Sequence, residues 1–576
     1  MSKVIYVCRR EACLPQEEEV RLTRICEELE PDNLVSRPQH VVRVNGRVAF
    51  GIMNRQSFLL EEDSSLLVGR LYTHENRWKH PGTGLPDGSY ALFRNDEDYL
   101  EVASDPAASR TIWHYFDDDL FVASTSQRAI IMLVGGFEFD ERVIPWMLST
   151  GSLGPELSWD KRIGRLPPDS SVVLDKNHWS VSMSQRPVLF SARERSRSDQ
   201  REALRAAIDK TIASLTTLNY EEWAIPLSGG HDSRALLCLI REHSKTPGKL
   251  RTITWGLEAS MNEPGNDATI ARELADKLGV AHEYYHTDVS KEPIEKVIDR
   301  FISCSEGRTD QVSGYLDGLE LWRKLVEEEG VHGVIRGDEG FGWTPVSSSS
   351  AVRYRVGCAL CSDFANIETV VSDFGLPLQE LPADMQRQEG ESLGGWRDRL
   401  YHTFRIPTIL AALSDIKLSY VEQISPLLSR SVLETVRELP DDLRTDKALF
   451  KEVVDSICPG VPYATKDAIA AHADMLRGKE FVELLRNGIQ SEYAKHLLSP
   501  GLVAYILGGI RAAGPSGERA SAQLKRSLRL LVPGFLKDWL KDTAAKPRVD
   551  GSVLAFRIFI VLRMHEKLSS DCARIK

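Results

Sequence analysis

The chain has 576 residues, more than one ordinary hydrophobic core accommodates, so two or three domains are expected. Its 72 Lys and Arg stand against 83 Asp and Glu, a net charge of −11 that argues against general affinity for nucleic acid or anionic membranes. Nine cysteines, an odd number scattered over a long chain, fit a reducing cytosol and exclude a compact disulfide scaffold.

The opening run Lys3-Val4-Ile5-Tyr6-Val7-Cys8 predicts a strand and lacks the features of a signal peptide, so a cytoplasmic location is expected. Short β-like runs follow at 41–44, 47–52, 65–71, 90–94, 100–103, 120–124 and 171–174, which makes residues 1–192 a β-rich unit. The polar stretch 193–200 reads as a linker. Beyond it a helical pattern at 201–218 leads to a compact apolar strand at 223–227, another strand at 251–255 and a helix at 267–278 that Gly279 ends. A helix at 320–328 and a strand at 333–335 repeat the alternation, which implies a parallel sheet wrapped by helices over residues 200–470. Residues 471–576 read as a helical extension; its apolar run 553–562, interrupted by Arg557, is too short to span a bilayer and predicts a buried helix.

The chemistry concentrates at Leu227-Ser228-Gly229-Gly230-His231-Asp232-Ser233-Arg234, a glycine turn between a strand and a helix. Two glycines let backbone N–H groups approach an anion, the following helix offers its positive end, and the hydroxyls add donors. Asp232 supplies a carboxylate able to hold Mg²⁺ against phosphates. No Walker-type Gly-Lys-Ser/Thr occurs.

This segment resembles the pyrophosphate loop of the ATP-pyrophosphatase superfamily. Further landmarks resemble the asparagine synthetase B superfamily: Thr252-Ile253-Thr254-Trp255-Gly256 with Asn266-Asp267, then Gly333-Val334-Ile335-Arg336-Gly337-Asp338-Glu339-Gly340-Phe341-Gly342, then Ser425-Pro426, Asp446-Lys447, Lys451 and Thr465-Lys466. Val68-Gly69-Arg70, Asp87-Gly88-Ser89-Tyr90, Ala103-Ser104-Asp105, Trp113-His114-Tyr115 and Leu166-Pro167-Pro168 are similar, in order, to landmarks of class II glutamine amidotransferase domains. The resemblance implies an α/β fold class: an amidotransferase-like β-sandwich, then a parallel-sheet ATP-pyrophosphatase (adenine nucleotide alpha hydrolase-like) domain with a helical extension. It implies ATP contacts at Leu227, Ser228, Gly229, Gly230, Asp232, Ser233, Thr254 and Gly337, and Mg²⁺ on Asp232 and Asp338. Lys466 would stabilise charge as an acyl-adenylate forms and is attacked, Glu339 would be a lesser candidate for the metal counted among the catalytic residues, and Arg234 would touch pyrophosphate or substrate.

An active class II glutaminase needs cysteine directly after the initiator Met, and here that residue is Ser2. The family's Asn-Gly-Glu glutamine-binding segment reads Val68-Gly69-Arg70, so the first domain is expected to be inactive, as in β-lactam synthetases and lasso peptide cyclases. The expected enzyme adenylates a small-molecule or peptide carboxylate, releases pyrophosphate, and couples the acyl group to an amine with loss of AMP. Its partners would include a precursor peptide and a leader-processing protease. The rivals are an ammonia-dependent asparagine synthetase and a catalytically silent scaffold that binds a peptide or partner protein. Two further motifs are expected to carry no metal: His282-Glu283-Tyr284-Tyr285-His286, whose setting predicts a strand, and Cys358-Ala359-Leu360-Cys361, which lacks a second pair.

Overall fold

The computed structural model describes residues 3–12, 15–36, 39–54, 58–73, 75–288, 290–512 and 546–574. Two six-stranded antiparallel sheets occupy the first third of the chain. Along Lys3–Arg9 the side chains alternate between faces. Val4, Tyr6 and Cys8 meet Phe50 and Ile52 of their own sheet and Val68, Phe93 and Val102 of the second. Tyr6 stacks between Phe50 and Phe93 at ring-centroid distances of 5.6 and 5.4 Å. Ile5 and Val7 point the other way, under Leu22, Ile25 and Cys26 of the helix Pro15–Glu28. Burial on both faces explains why this strand reads as an unbroken apolar run; each large side chain removed from water contributes about 1.5–3 kcal/mol.

The expected linker is shorter than its polar composition suggests. Ser196 caps a helix, Arg197–Ala213, by accepting from the Asp199 N–H, and Ser191 and Arg193 donate to the carbonyls of Arg437 and Glu438. The polar side chains of 193–200 therefore belong to a docked strap and a helix start, where Ser and Asp satisfy otherwise open N–H groups.

The second half is built on a five-stranded parallel sheet in the order Ala281–His286, Arg251–Gly256, Trp223–Pro226, Gly333–Ile335, Glu422–Ile424. The chain lays strands outward on one side of Trp223–Pro226 and then returns to lay two on its other side. The order reverses between Trp223–Pro226 and Gly333–Ile335, and such a reversal opens a crevice beyond the carboxyl ends of the strands. The fifth strand, Glu422–Ile424, has three residues, two of them polar, and carries no periodic signal in the sequence.

The segment 282–286 is part of a strand, as expected, and His282 shares a hydrogen bond of 3.0 Å with the Thr252 hydroxyl. Cys358 and Cys361 are buried free thiols. Among the described residues no group of three or more His, Cys, Asp or Glu is arranged to hold a metal. The apolar run 553–562 lies in the long helix Gly551–Arg574 and is buried; Arg128 from the first half pairs with its Asp571 at 2.8 Å. No described helix is long and apolar enough to cross a membrane.

Candidate active site

The glycine turn leaves the strand Trp223–Pro226 and enters the helix His231–His243 beside the loop that follows Gly333–Ile335, at the reversal of the sheet. A cavity of about 370 Å³ opens there, lined by Leu227, Ser228, Asp232, Ser233 and Thr254 from one side and by Arg336, Gly337 and Asp338 from the other. The two loops are in close register because Gly337 lacks a side chain. A Cβ there would stand 3.0 Å from the Asp232 carbonyl carbon and from the Ser233 nitrogen. Gly229 is equally constrained, since a Cβ would lie 2.3 Å from that of Ala464.

The turn is internally bonded. Ser228 N–H donates to Ser233 Oγ at 3.0 Å, Gly229 N–H to Asp267 Oδ1 at 2.9 Å, and Gly230 N–H to Ser228 Oγ at 3.3 Å. Gly230 is the N-cap of the helix and offers no side-chain acceptor, so the first helical turn is the uncapped donor set facing the cavity. Thr254 donates its hydroxyl to the Leu227 carbonyl and thereby locks the neighbouring strand end.

The carboxylates of Asp232, Asp338 and Glu339 divide differently from expectation. Asp232 and Asp338 both line the cavity, but Asp232 and Glu339 are the two that share a cation. Lys447 places its Nζ 2.9 and 2.8 Å from the two Asp232 oxygens and 2.8 Å from Glu339 Oε1. Asp338 faces Arg336 at 3.0 Å and accepts from Ser425 Oγ at 3.3 Å. Burial pushes the Asp338 carboxyl up, but Arg336, Lys417 and Ser425 outweigh it and hold the group below its ordinary range. For Glu339 burial prevails over Lys447, and its carboxyl is raised. Burial would lower Lys447, yet Glu339 and Asp232 hold it above the ordinary lysine value.

Lys447 has φ 56°, and Asp446 before it also has φ 56°, a conformation that side-chain-bearing residues rarely adopt. Two consecutive strained residues bring the ammonium between the acidic groups, at the start of the helix Ala448–Ile457. Lys447 is the residue that sequence reasoning left without a role; its signal was its place in the ordered series with Ser425 and Lys466.

Two expected site residues lie elsewhere. Arg234 is 1% exposed, and its guanidinium donates to the carbonyls of Val461 and Pro462 at 2.6 and 2.7 Å while covering the Tyr463 ring at 4.0 Å. It fastens the loop before Lys466 and does not line the cavity, which corrects its expected contact with pyrophosphate. Lys466 contributes backbone, accepting from the Asp267 N–H at 2.9 Å, but its ammonium pairs with Glu263 at 2.6 Å, both side chains being about half exposed. The cation held among the carboxylates is therefore Lys447. Ser2, on which the expectation of a silent glutaminase rests, lies outside the described residues.

Residues 201–331 match the family model described as asparagine synthase. This part of the chain is asparagine synthase-like. The match includes the glycine turn and Thr254 and ends before Gly337, Lys447 and Lys466. Among solved structures, the chain is similar to an allosteric regulatory enzyme of purine biosynthesis, at 11% identity and a TM-score of 0.21 over 49% of this chain and 80% of that one. It is also similar to glutamine phosphoribosylpyrophosphate amidotransferase from B. subtilis complexed with ADP and GMP, at 11% identity and a TM-score of 0.22 over 58% and 90%. A comparison with curated proteins returns no match.

Proposed function

We propose that the protein is an ATP-dependent, AMP- and pyrophosphate-forming amide synthetase. The asparagine synthase match supports an ATP-dependent amide-forming ligase in general terms. The observation that carries the finer reading is the meeting, at the reversal of the parallel sheet, of an uncapped helix start with Asp232 and Asp338 across a glycine-tight gap. A triphosphate needs that combination: fixed N–H donors on its oxygens and carboxylates for its counter-ion.

Mg²⁺ characteristically takes one or two protein carboxylates and completes its shell with water and phosphate oxygens, which fits the Asp232 and Asp338 carboxylates lining one cavity. Asp232 and Asp338 would hold it, and it would supply charge neutralisation on the phosphates. The chain's own part begins with Ser228, Ser233 and the first helical turn binding the phosphate oxygens. A substrate carboxylate oxygen attacks the α-phosphorus, the bond to the bridging oxygen breaks, and pyrophosphate leaves. An amine nitrogen then attacks the acyl carbon, AMP departs, and the amine's surplus proton passes to a nearby base, for which Glu339, held with a raised carboxyl, is suited. Lys447 stabilises the negative charge on phosphate and acyl oxygen, and Lys466 joins it only by leaving Glu263.

The amine belongs to the substrate, so the product is a lactam or macrolactam on a specialised molecule, of the kind lasso peptide cyclases and β-lactam synthetases form. Supporting this, Arg70 stands where glutamine-binding relatives carry an acid, and its guanidinium is tied to Ser214 and Thr217 of the second half. The test is a ³¹P measurement of AMP and pyrophosphate with ATP, Mg²⁺ and a panel of amino-bearing carboxylic acids and peptides, with aspartate plus ammonium as a separate arm. AMP formation with an amino acid or peptide that needs no added ammonium supports the reading. Formation only with aspartate and ammonium assigns asparagine synthesis instead, and no AMP or pyrophosphate from any arm rejects the ligase.

A further inference from the structure

Two thiols meet behind the glycine turn, and the proposed reaction uses neither. Cys238 lies in the helix His231–His243, which leads away from the turn, and Cys458 ends the helix Ala448–Ile457, which Lys447 begins. Both helices share one apolar cluster, through Leu237 and Ile240 of the first and Val453 and Val454 of the second, and Cys458 packs against it. Cys458 Sγ reaches the Arg234 carbonyl at 3.8 Å. A helical side chain lies over the turn before its own Cα, so Cys238, four residues after Arg234, projects its sulfur beside that same carbonyl. The two thiols accordingly hydrogen-bond to each other. Both are free cysteines; Cys238 is 6% exposed and Cys458 is half-buried.

The thiol pair is asymmetric. The Cys458 S–H holds the Cys238 thiol below its ordinary range, with burial opposing and the Arg234 and Arg241 guanidinium groups assisting. Cys458 is raised, by Cys238 first and by burial after it. Cys238 is therefore the sulfur that gives up its proton and Cys458 the one that keeps it. A thiolate near guanidinium groups, with a second thiol in contact, combines a nucleophile with the cysteine that can resolve its oxidised form. The closely spaced Cys358 and Cys361 lack this arrangement. Cys361 donates to the Pro145 carbonyl at 3.4 Å, and burial pushes both of these thiols up to about 12.

We infer that Cys238 and Cys458 form a reversible oxidation site that closes to an intrachain disulfide, with a hydroperoxide as the oxidant. The Cys238 thiolate attacks the peroxide oxygen, the O–O bond breaks, and Cys238 sulfenic acid and hydroxide form. The Cys458 sulfur then attacks the Cys238 sulfur, the S–O bond breaks, and the second hydroxide leaves. With hydrogen peroxide the two thiol protons complete two molecules of water, and the two electrons lost by the sulfurs reduce the peroxide. Hydrogen peroxide is little larger than water, which suits a thiol as enclosed as Cys238. The new bond would tie the base of the loop 459–466, which Arg234 already fastens through Val461 and Pro462 and whose Ala464 closes on Gly229. The site rests on the thiol contact and stands independently of the ATP reading.

The experiment treats the reduced full chain, without ATP, with a small molar excess of hydrogen peroxide. Free thiols are then blocked with N-ethylmaleimide under denaturing conditions, and the chain is digested without reductant and mapped by mass spectrometry. A peptide pair joined through Cys238 and Cys458, lost on treatment with dithiothreitol, is the expected result. Cys358 and Cys361 should carry the maleimide. In Cys458→Ser, dimedone should trap the sulfenic acid on Cys238. In Cys238→Ser, oxidation of Cys458 should be at least about tenfold slower than loss of the free thiols in the wild type, since Cys458 keeps its proton. The wild-type map alone decides whether the bond forms: no joined peptide, or Cys238 joined to another cysteine, overturns the inference. Oxidation of Cys458 in Cys238→Ser at the wild-type rate overturns the assignment of Cys238 as the attacking sulfur.

Discussion

Lys447 and Asp232 are 215 residues apart in the chain and meet in a two-pronged ion pair, 2.9 and 2.8 Å from Nζ to the two carboxylate oxygens, with Glu339 closing the triad at 2.8 Å. One ammonium thus neutralises part of two acids, one from each loop of the sheet reversal. The arrangement joins fold to chemistry: strain at Asp446 and Lys447 is the local cost of placing a positive charge where phosphate oxygens would arrive.

Replacing Lys447 with Met leaves Asp232 and a 3%-exposed Glu339 facing each other without their cation. Breaking a buried pair by removing one partner costs about 3–5 kcal/mol, and the half-open Asp232 side places the loss at the lower end. The pH dependence has a definite sign. Burial already raises Glu339, and losing Lys447 raises it further, so the folded variant binds a proton that the unfolded chain releases near pH 4.3. The contribution of this group to stability is fully present below that pH and is lost as pH rises through the folded value. Urea unfolding of both proteins between pH 4 and 8 measures this; a gap between them that narrows with rising pH contradicts it.

Arg336→Met tests the second acidic group in the opposite sense. Asp338 is held below its ordinary range against burial, with Arg336 as the foremost opposing charge. A depressed carboxyl contributes stability that is present above the unfolded value, about 3.9, and is lost as pH falls through the lower folded value. Without Arg336 that contribution should vanish, flattening the acid limb of the stability profile. ATP-dependent pyrophosphate release should fall as well, and an unaltered acid limb would show that Arg336 does not set the charge of Asp338.

How much of this could be read from residues alone depends on the range of the signal. Ile225 to Ser233 encodes strand, turn and helix within a few neighbours, and the structure has all three. The strand reading of 282–286 was equally local, with Gly279 stopping the preceding helix. What stayed hidden depended on distant contacts. Arg234 looks like a loop cation in sequence, but the carbonyls of Val461 and Pro462 turn it inward. Lys447 acquires meaning through a left-handed backbone that no propensity announces, and Glu422–Ile424 is a strand because Gly333–Ile335 lies beside it.

Gly337→Ala examines the fit between the loops. Its Cβ would sit 3.0 Å from backbone atoms of Asp232 and Ser233, which cannot swing aside as a side chain would. Separating the loops should cost about 1–3 kcal/mol, typical of an overpacked methyl, and should raise the KM for ATP more than it lowers stability alone would explain. Steady-state kinetics at saturating and limiting ATP, beside a thermal melt, distinguish the two effects. An unchanged KM would mean that the opposed loops do not grip a shared ligand.

The two displaced cations make a decisive pair. Arg234→Met removes two buried hydrogen bonds from a charged donor and the contact with Tyr463, so it should cost about 3–5 kcal/mol of stability. Because Arg234 does not line the cavity, the variant molecules that do fold should retain most of their turnover. Lys466→Met removes a half-exposed pair with Glu263, worth no more than about 1 kcal/mol. If Lys466 swings from Glu263 to the reacting phosphate, its loss should lower kcat by about 10²-fold or more while the melt barely moves, as expected when a fixed charge at a transition state is removed. Glu263→Gln then frees the same ammonium and should leave kcat intact. A full kcat in Lys466→Met would leave Lys447, already lodged between Asp232 and Glu339, as the lysine that serves the reaction.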